Sequence, residues 1–207
     1  RPVQGPVKPM PKNSFRSWSF LISLLYATCG TNAQNASYNI LKGGDVIGNI
    51  QATRKVSGDR TYYSMISNSE FSILWKNTVQ STTITEYHRK TITSCGAHMR
   101  INGVLCDSSR MTLVGAEAHC YVHPRNHFIH NGTVEWTTAR MYYEEPIGQP
   151  MIFVESVMGY CPMETTGKGT YKLTLPEGKV NHYTYVGGIL QEVLVIRSLF
   201  DLVFRRV

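Results

Sequence analysis

The sequence predicts an all-β domain: a curved antiparallel meander sheet or half-open barrel with one short helix, after a cleaved signal peptide. Three observations lead there. From Ser37 onward the chain is rich in Thr, Val, Ile and Tyr, and branched and aromatic side chains pack well on a pleated sheet surface. Glycine-containing turns recur at short intervals, at Gly43-Gly44, Ser57-Gly58-Asp59, Asn102-Gly103, Asn131-Gly132, Pro176-Glu177-Gly178 and Gly187-Gly188, and short β-rich runs between such turns read as consecutive strands. Only Thr137 to Tyr143 reads as a helix, with Thr137 as its cap and Pro146 as its stop. The turn spacing predicts roughly nine to twelve strands.

Residues 1–33 lie outside that pattern. A Pro-rich basic start with Arg1, Lys8, Lys12 and Arg16 leads into an apolar run from Phe20 to Ala27, the layout of a secretory signal peptide. The run is far shorter than the roughly 20 residues that a membrane-spanning helix needs. Thr31-Asn32-Ala33 supplies a cleavage site of small residues, which predicts a single mature β domain over residues 34–207. Cys29 offers lipid anchoring as the less favoured alternative, because Tyr26 stands where a lipidation motif takes an aliphatic residue. The expected location is secreted or periplasmic, with cell-envelope association.

The chain carries 21 Lys+Arg against 14 Asp+Glu over 207 residues, a net charge of +7. Removing the four cations of the leader leaves 17 minus 14, or +3, so the basicity belongs mostly to the targeting signal. The remaining cations are scattered, which argues against a nucleic-acid partner, since such proteins keep a basic face or helix. At 42% hydrophobic and 17% charged, the chain is neither a disordered tail nor a multi-span helical membrane protein.

Two hairpins allow a predicted register. A two-residue turn at Asn102-Gly103 places Ile101 opposite Val104, Cys106 opposite Met99 and Cys95 opposite Arg110. Cys95 and Cys106 then lie ~13 Å out of step, beyond the ~7 Å Cα separation of a disulfide. Any bridge would use Cys120 or Cys161, and four free buried thiols are the alternative. The turn at Gly187-Gly188 pairs Val186 with Ile189, Tyr185 with Leu190, Thr184 with Gln191 and Tyr183 with Glu192. Both faces of that hairpin are then mixed, as suits a strongly curved sheet.

The order of motifs carries a resemblance: Tyr38 through Gly43-Gly44 to Gly48, Gly58 to Tyr63, Asn102-Gly103, Glu145-Pro146, Glu155-Ser156, Tyr171 to Gly178, and Tyr183 to Leu190. The chain resembles an uncharacterised domain-of-unknown-function family of secreted, β-rich bacterial proteins over nearly all of its mature length. The resemblance implies secretion and a β-rich fold, and no established activity. The overall plan is also similar to the half-barrels of periplasmic lipoprotein carriers, a likeness of fold that does not fix a function.

Candidate sites follow from the residues. His119, Cys120, His123, His127 and His130 are zinc-ligand types at short spacing. A hairpin tip at Pro124-Arg125-Asn126 sets His123 opposite His127 and Cys120 opposite His130, on opposite faces of the sheet, so no metal site is predicted. Glu144, Glu145 and Glu155 could pair for carboxylate-dependent hydrolysis, but the nucleophile and metalloprotease motifs are missing, and no catalytic residue and no cofactor is assigned. Tyr142, Tyr143, Tyr171, Tyr183 and Tyr185 suit a cavity lining, with an apolar body and a polar tip. The leading expectation is therefore a non-enzymatic protein binding an apolar or lipid-like ligand in its curved sheet, with Thr137 to Tyr143 over the mouth. The alternatives are a secreted hydrolase and an envelope structural or interaction domain with a filled barrel. Large side chains on the concave face would favour the last.

Overall fold

A computed structural model describes residues 32–72, 76–124, 126–197 and 200–207. The predicted leader through Thr31, with Cys29, lies outside those residues. Asn32 and Ala33 open the first strand.

The chain folds into a 14-stranded sheet. The first half supplies β1 (Asn32–Lys42), β2 (Asp45–Ser57), β3 (Arg60–Ser72), β4 (Lys76–His88), β5 (Thr91–Ile101), β6 (Val104–Val114), β7 (Glu117–Val122) and β8 (Asn126–His130). A connector carrying the helix α1 (Thr138–Met141) leads to β9 (Met151–Val154), β10 (Gly159–Gly167), β11 (Thr170–Thr174), β12 (Val180–Val186), β13 (Ile189–Ile196) and β14 (Leu202–Arg206). The first eight strands step outward one neighbour at a time, and the last six step back until β14 pairs with β1. Every strand pair is antiparallel, and Tyr38 lies opposite Arg206 where the two halves meet.

This topology makes β8 and β9 the two edges of an open sheet. Curvature brings them near each other through aromatic packing: the His130 ring lies 5.6 Å from Phe153 and 5.5 Å from Tyr160. The connector covers the β9 edge, because the Phe153 N–H donates to the Trp136 carbonyl at 2.9 Å. A covered edge cannot template the pairing of another chain.

The strand count exceeds the predicted range because several turns contain no glycine. The turn between β4 and β5 uses Arg89 at φ 58°, and the one before β10 uses Met158 at φ 54°. Glycine spacing therefore undercounts the strands.

β-Bulges shift two of the predicted registers. At Gly187-Gly188 the pairs Val186 with Ile189 and Tyr185 with Leu190 hold, but Thr184 then opposes Glu192 and Tyr183 opposes Val193. Gln191 is the extra residue. A one-residue slip flips every following side chain, and here it puts Tyr183, Tyr185, Leu190, Val193 and Val195 together on the buried face. The expected mixed faces are thus a clean apolar stripe. In the Asn102-Gly103 hairpin, Cys106 is the extra residue, so Met99 faces Asp107 and Cys95 faces Met111.

All four described cysteines are free, three of them buried and Cys106 exposed. Cys95 and Cys120 flank Met111 from the two neighbouring strands, which sets them about two strand spacings, or ~10 Å, apart. Burial pushes the Cys95 thiol well up from its ordinary range, as for a small core residue.

A third bulge makes Ile47 the extra residue and brings Gly48 opposite Ile40. A Cβ on Gly48 would lie 2.1 Å from the Asn68 carbonyl oxygen on β3. Since that neighbour is backbone, Gly48→Ala is expected to cost about 2–3 kcal/mol, read by urea denaturation. A loss under about 0.5 kcal/mol would mean that β2 and β3 separate there freely.

Candidate functional site

The connector does not sit over the mouth of the half-barrel as a cover. It enters the concave face, where its Ala139 and Met141 are 0% exposed, as are Ile152 and Phe153 of β9. Met141, Tyr142 and Ile152 pack against one half of the sheet's core; Val134, Ala139, Phe153 and Met158 pack against the other.

Glu155 anchors this arrangement. Its wholly buried carboxylate accepts the Thr85 hydroxyl at 2.9 Å and the N–H groups of Ala139 at 3.0 Å and Thr138 at 3.2 Å. The Thr138 hydroxyl is a further donor, and the Glu155 carbonyl accepts the Ser109 hydroxyl at 2.6 Å. The first turn of a helix leaves N–H groups without partners, and a buried carboxylate is tolerated only when hydrogen-bonded. Glu155 and the start of α1 satisfy each other. Thr137 caps the same turn, accepting from the Arg140 N–H at 3.4 Å.

Tyrosine hydroxyls tie down the rest of the connector. Tyr185 donates to the Met141 carbonyl at 2.7 Å, Tyr63 to Glu144 at 2.9 Å, Tyr171 to Glu145 at 2.7 Å and Tyr87 to Thr137 at 3.0 Å. Glu144 also accepts a two-armed contact from Arg140, at 2.9 and 2.6 Å. The Arg140 guanidinium lies 4.1 Å over the Trp136 ring. Glu144 and Glu145, adjacent in sequence, are therefore held by opposite halves of the sheet, and Glu155 lies at the other end of α1.

Of the five tyrosines predicted for ligand contact, Tyr142, Tyr171, Tyr183 and Tyr185 are buried and Tyr143 is half-buried. Tyr142 stands edge-on to Tyr38 at 5.2 Å, and Tyr171 edge-on to Tyr185 at 5.7 Å. Tyr143 donates to the Gln34 carbonyl at 3.2 Å. Burial is the main cause that pushes Tyr63 and Tyr183 up to about 12 from an ordinary 10.0. A phenol whose pKa is raised by folding stabilises the fold fully below pH ~10 and loses that contribution as pH rises through ~12. The thermal midpoint is therefore expected to fall steeply across that window, with the absorbance of the buried tyrosines appearing together with unfolding. A thermal midpoint unchanged between about pH 10 and 12 would contradict this.

The concave face leaves a cleft at the mouth, of about 360 Å³, lined by Gln34, Asn35, Tyr142, Tyr143, Ile189 and Arg206. It contains two of the predicted tyrosines and none of the three candidate carboxylates. Arg206, Gln34 and Ile189 carry no motif that marks them in the sequence. A second cleft, of about 330 Å³, involves Arg60, Glu86, His88, Thr93 and Ser94, and its Glu86 is bonded to Arg60 at 2.7 Å.

The histidine-rich hairpin turns one residue earlier than predicted. Val122 faces Asn126, so His127 opposes Tyr121, Cys120 opposes Phe128 and His130 opposes Ala118. This replaces the expected pairs His123 with His127 and Cys120 with His130. The His127 ring lies 4.7 Å from the Tyr121 ring, and His130 belongs to the aromatic seam between the sheet edges. Among the described residues no three His, Cys, Asp or Glu side chains converge on a metal-sized site.

These features define a class: an open antiparallel β-barrel whose concave face is occupied by its own connector. Residues 38–207 match the family described as "Domain of unknown function (DUF6134)", and the chain belongs to that family. A beta-barrel-like protein of the domain of unknown function DUF1849 from Brucella abortus has a similar crystal structure, with a TM-score of 0.50 at 10% identity, covering 84% of this chain and 95% of that one. That likeness shows a shared fold. No curated protein matches the chain.

Proposed function

We propose that this protein is a secreted or periplasmic, non-enzymatic domain that works through its surface, as a structural or interaction module of the cell envelope. The observation that carries this reading is the filled concave face, where Met141, Ile152, Phe153 and Glu155 have no exposure. A carrier needs an enclosed volume of a few hundred Å³, and the mouth cleft of about 360 Å³ is open to solvent. The hydrolase reading loses support because Glu144, Glu145 and Glu155 all hold the connector in place. The apolar-ligand reading keeps one footing, the presence of Tyr142 and Tyr143 in that cleft. The assignment to the envelope rests on the leader.

The test is titration of the purified full chain with a neutral apolar dye, Nile red. A filled barrel gives no saturable binding. Saturable one-to-one binding would overturn the proposal. Export is tested separately by the mass of the secreted protein, with loss of residues 1–33 expected and an uncleaved leader as the contrary result.

A further inference from the structure

We infer that the barrel mouth binds a small amphipathic acid, its carboxylate or phosphate-ester head on Arg206 and its apolar tail over Tyr142, Tyr143 and Ile189. The site lies outside the packed core, so the inference stands or falls independently of the filled-barrel reading.

Arg206 projects from the concave face of β14 at the junction of the two halves of the sheet. Its Nη1 donates to the Tyr38 hydroxyl at 3.2 Å, and its guanidinium lies 5.8 Å from the Tyr38 ring. Among the described residues no carboxylate lies within ion-pair distance of it. The contrast with its neighbour is direct: Arg205, on the opposite face, bonds Glu192 at 3.0 Å. A guanidinium presents five donors in a planar fork matched to carboxylate and phosphate, and one contact to a phenol leaves most of that fork unused. Tyr38 holds the group half-buried, which limits the rotamer freedom lost when an anion binds.

The rest of the cleft supplies the apolar part. Ile189, 50% exposed at the turn that begins β13, lines the cleft. Tyr142 and Tyr143 line the cleft beside Ile189, and Gln34 and Asn35, whose amide oxygens accept from Arg54 and Thr53, stand at its rim. A volume of about 360 Å³ lies at the small end of ligand sites, enough for one short chain or ring with its acid. One unpaired cation beside aromatic and aliphatic surface selects an amphiphile with one acidic head over a neutral lipid.

The full chain is titrated calorimetrically, below micelle-forming concentrations, with dodecanoate, dodecyl phosphate, dodecanol, acetate and inorganic phosphate. Saturable one-to-one binding is expected for dodecanoate and dodecyl phosphate, with dodecanol, acetate and inorganic phosphate weaker by about tenfold or more. Arg206→Gln is expected to weaken dodecanoate by about tenfold, Ile189→Gln to weaken it as well, and Arg205→Gln to leave it unchanged. Equal binding of dodecanol and dodecanoate would overturn the inference, as would unchanged binding by a folded Arg206→Gln protein or no saturable binding of either acid. Inorganic phosphate binding as tightly as dodecyl phosphate would reduce the site to a bare anion site and also overturn it. Should Arg206→Gln fail to fold, the acid-to-alcohol ratio on the wild type and the Ile189→Gln variant decide.

Discussion

Replacing Glu155 by alanine is expected to destabilise the fold by about 4 kcal/mol and to lower the thermal midpoint by about 12 °C. The substitution strands the hydroxyls of Thr85 and Thr138 and the N–H groups of Thr138 and Ala139 where water does not reach. Each unsatisfied buried donor costs ~1–3 kcal/mol, and partial relaxation of the helix start recovers some of the sum. Glu155→Gln keeps the shape and one acceptor oxygen but turns an N–H₂ toward donors, for an expected loss of about 2 kcal/mol. Urea denaturation reads both. An alanine variant within about 1 kcal/mol of wild type would mean that Glu155 does not brace the connector.

Phe153→Ala is expected to cost a similar ~4 kcal/mol, for a different reason. Phe153 is fully buried and touches the rings of His130 and Tyr160, so its removal opens a cavity where the two sheet edges approach. Loss of the ring should also quicken amide exchange in β8 and β9 relative to the middle of the sheet. A loss under about 1 kcal/mol would show that the seam repacks without it.

Much of the architecture is legible in the residues, and the illegible parts share one physical cause. The Gly-containing turns announce their hairpins because positive φ is cheap for glycine, and the helix is announced by Thr137 and Pro146. The bulges at Ile47, Cys106 and Gln191 leave no such mark, since they depend on sheet twist and on what each strand meets across the sheet. The one at Gln191 turned an apolar stripe into apparent disorder. Turns at Arg89 and Met158 are hidden because positive φ at those residues is imposed by tertiary structure.

The candidate site divides the same way. The tyrosines stand out in the sequence, but nothing local shows that Tyr63, Tyr171 and Tyr185 would bond the chain's own connector. The partnership of Glu155 with Thr85 spans 70 residues and that of Arg206 with Tyr38 spans 168. Both depend on a strand order that folds the chain out from β1 and back to it. Glu155 was legible only as a carboxylate of unassigned purpose, and Arg206 not at all.

The connector is part of the core, and native-state hydrogen exchange reads this residue by residue. The amides of Thr138 and Ala139, which donate to Glu155, and of Met141, which donates to Thr137 at 3.3 Å, should exchange only through global unfolding, as slowly as those in the middle of β1 and β12. Exchange of these amides orders of magnitude faster, with the sheet still protected, would show instead a connector that swings out of a hollow barrel.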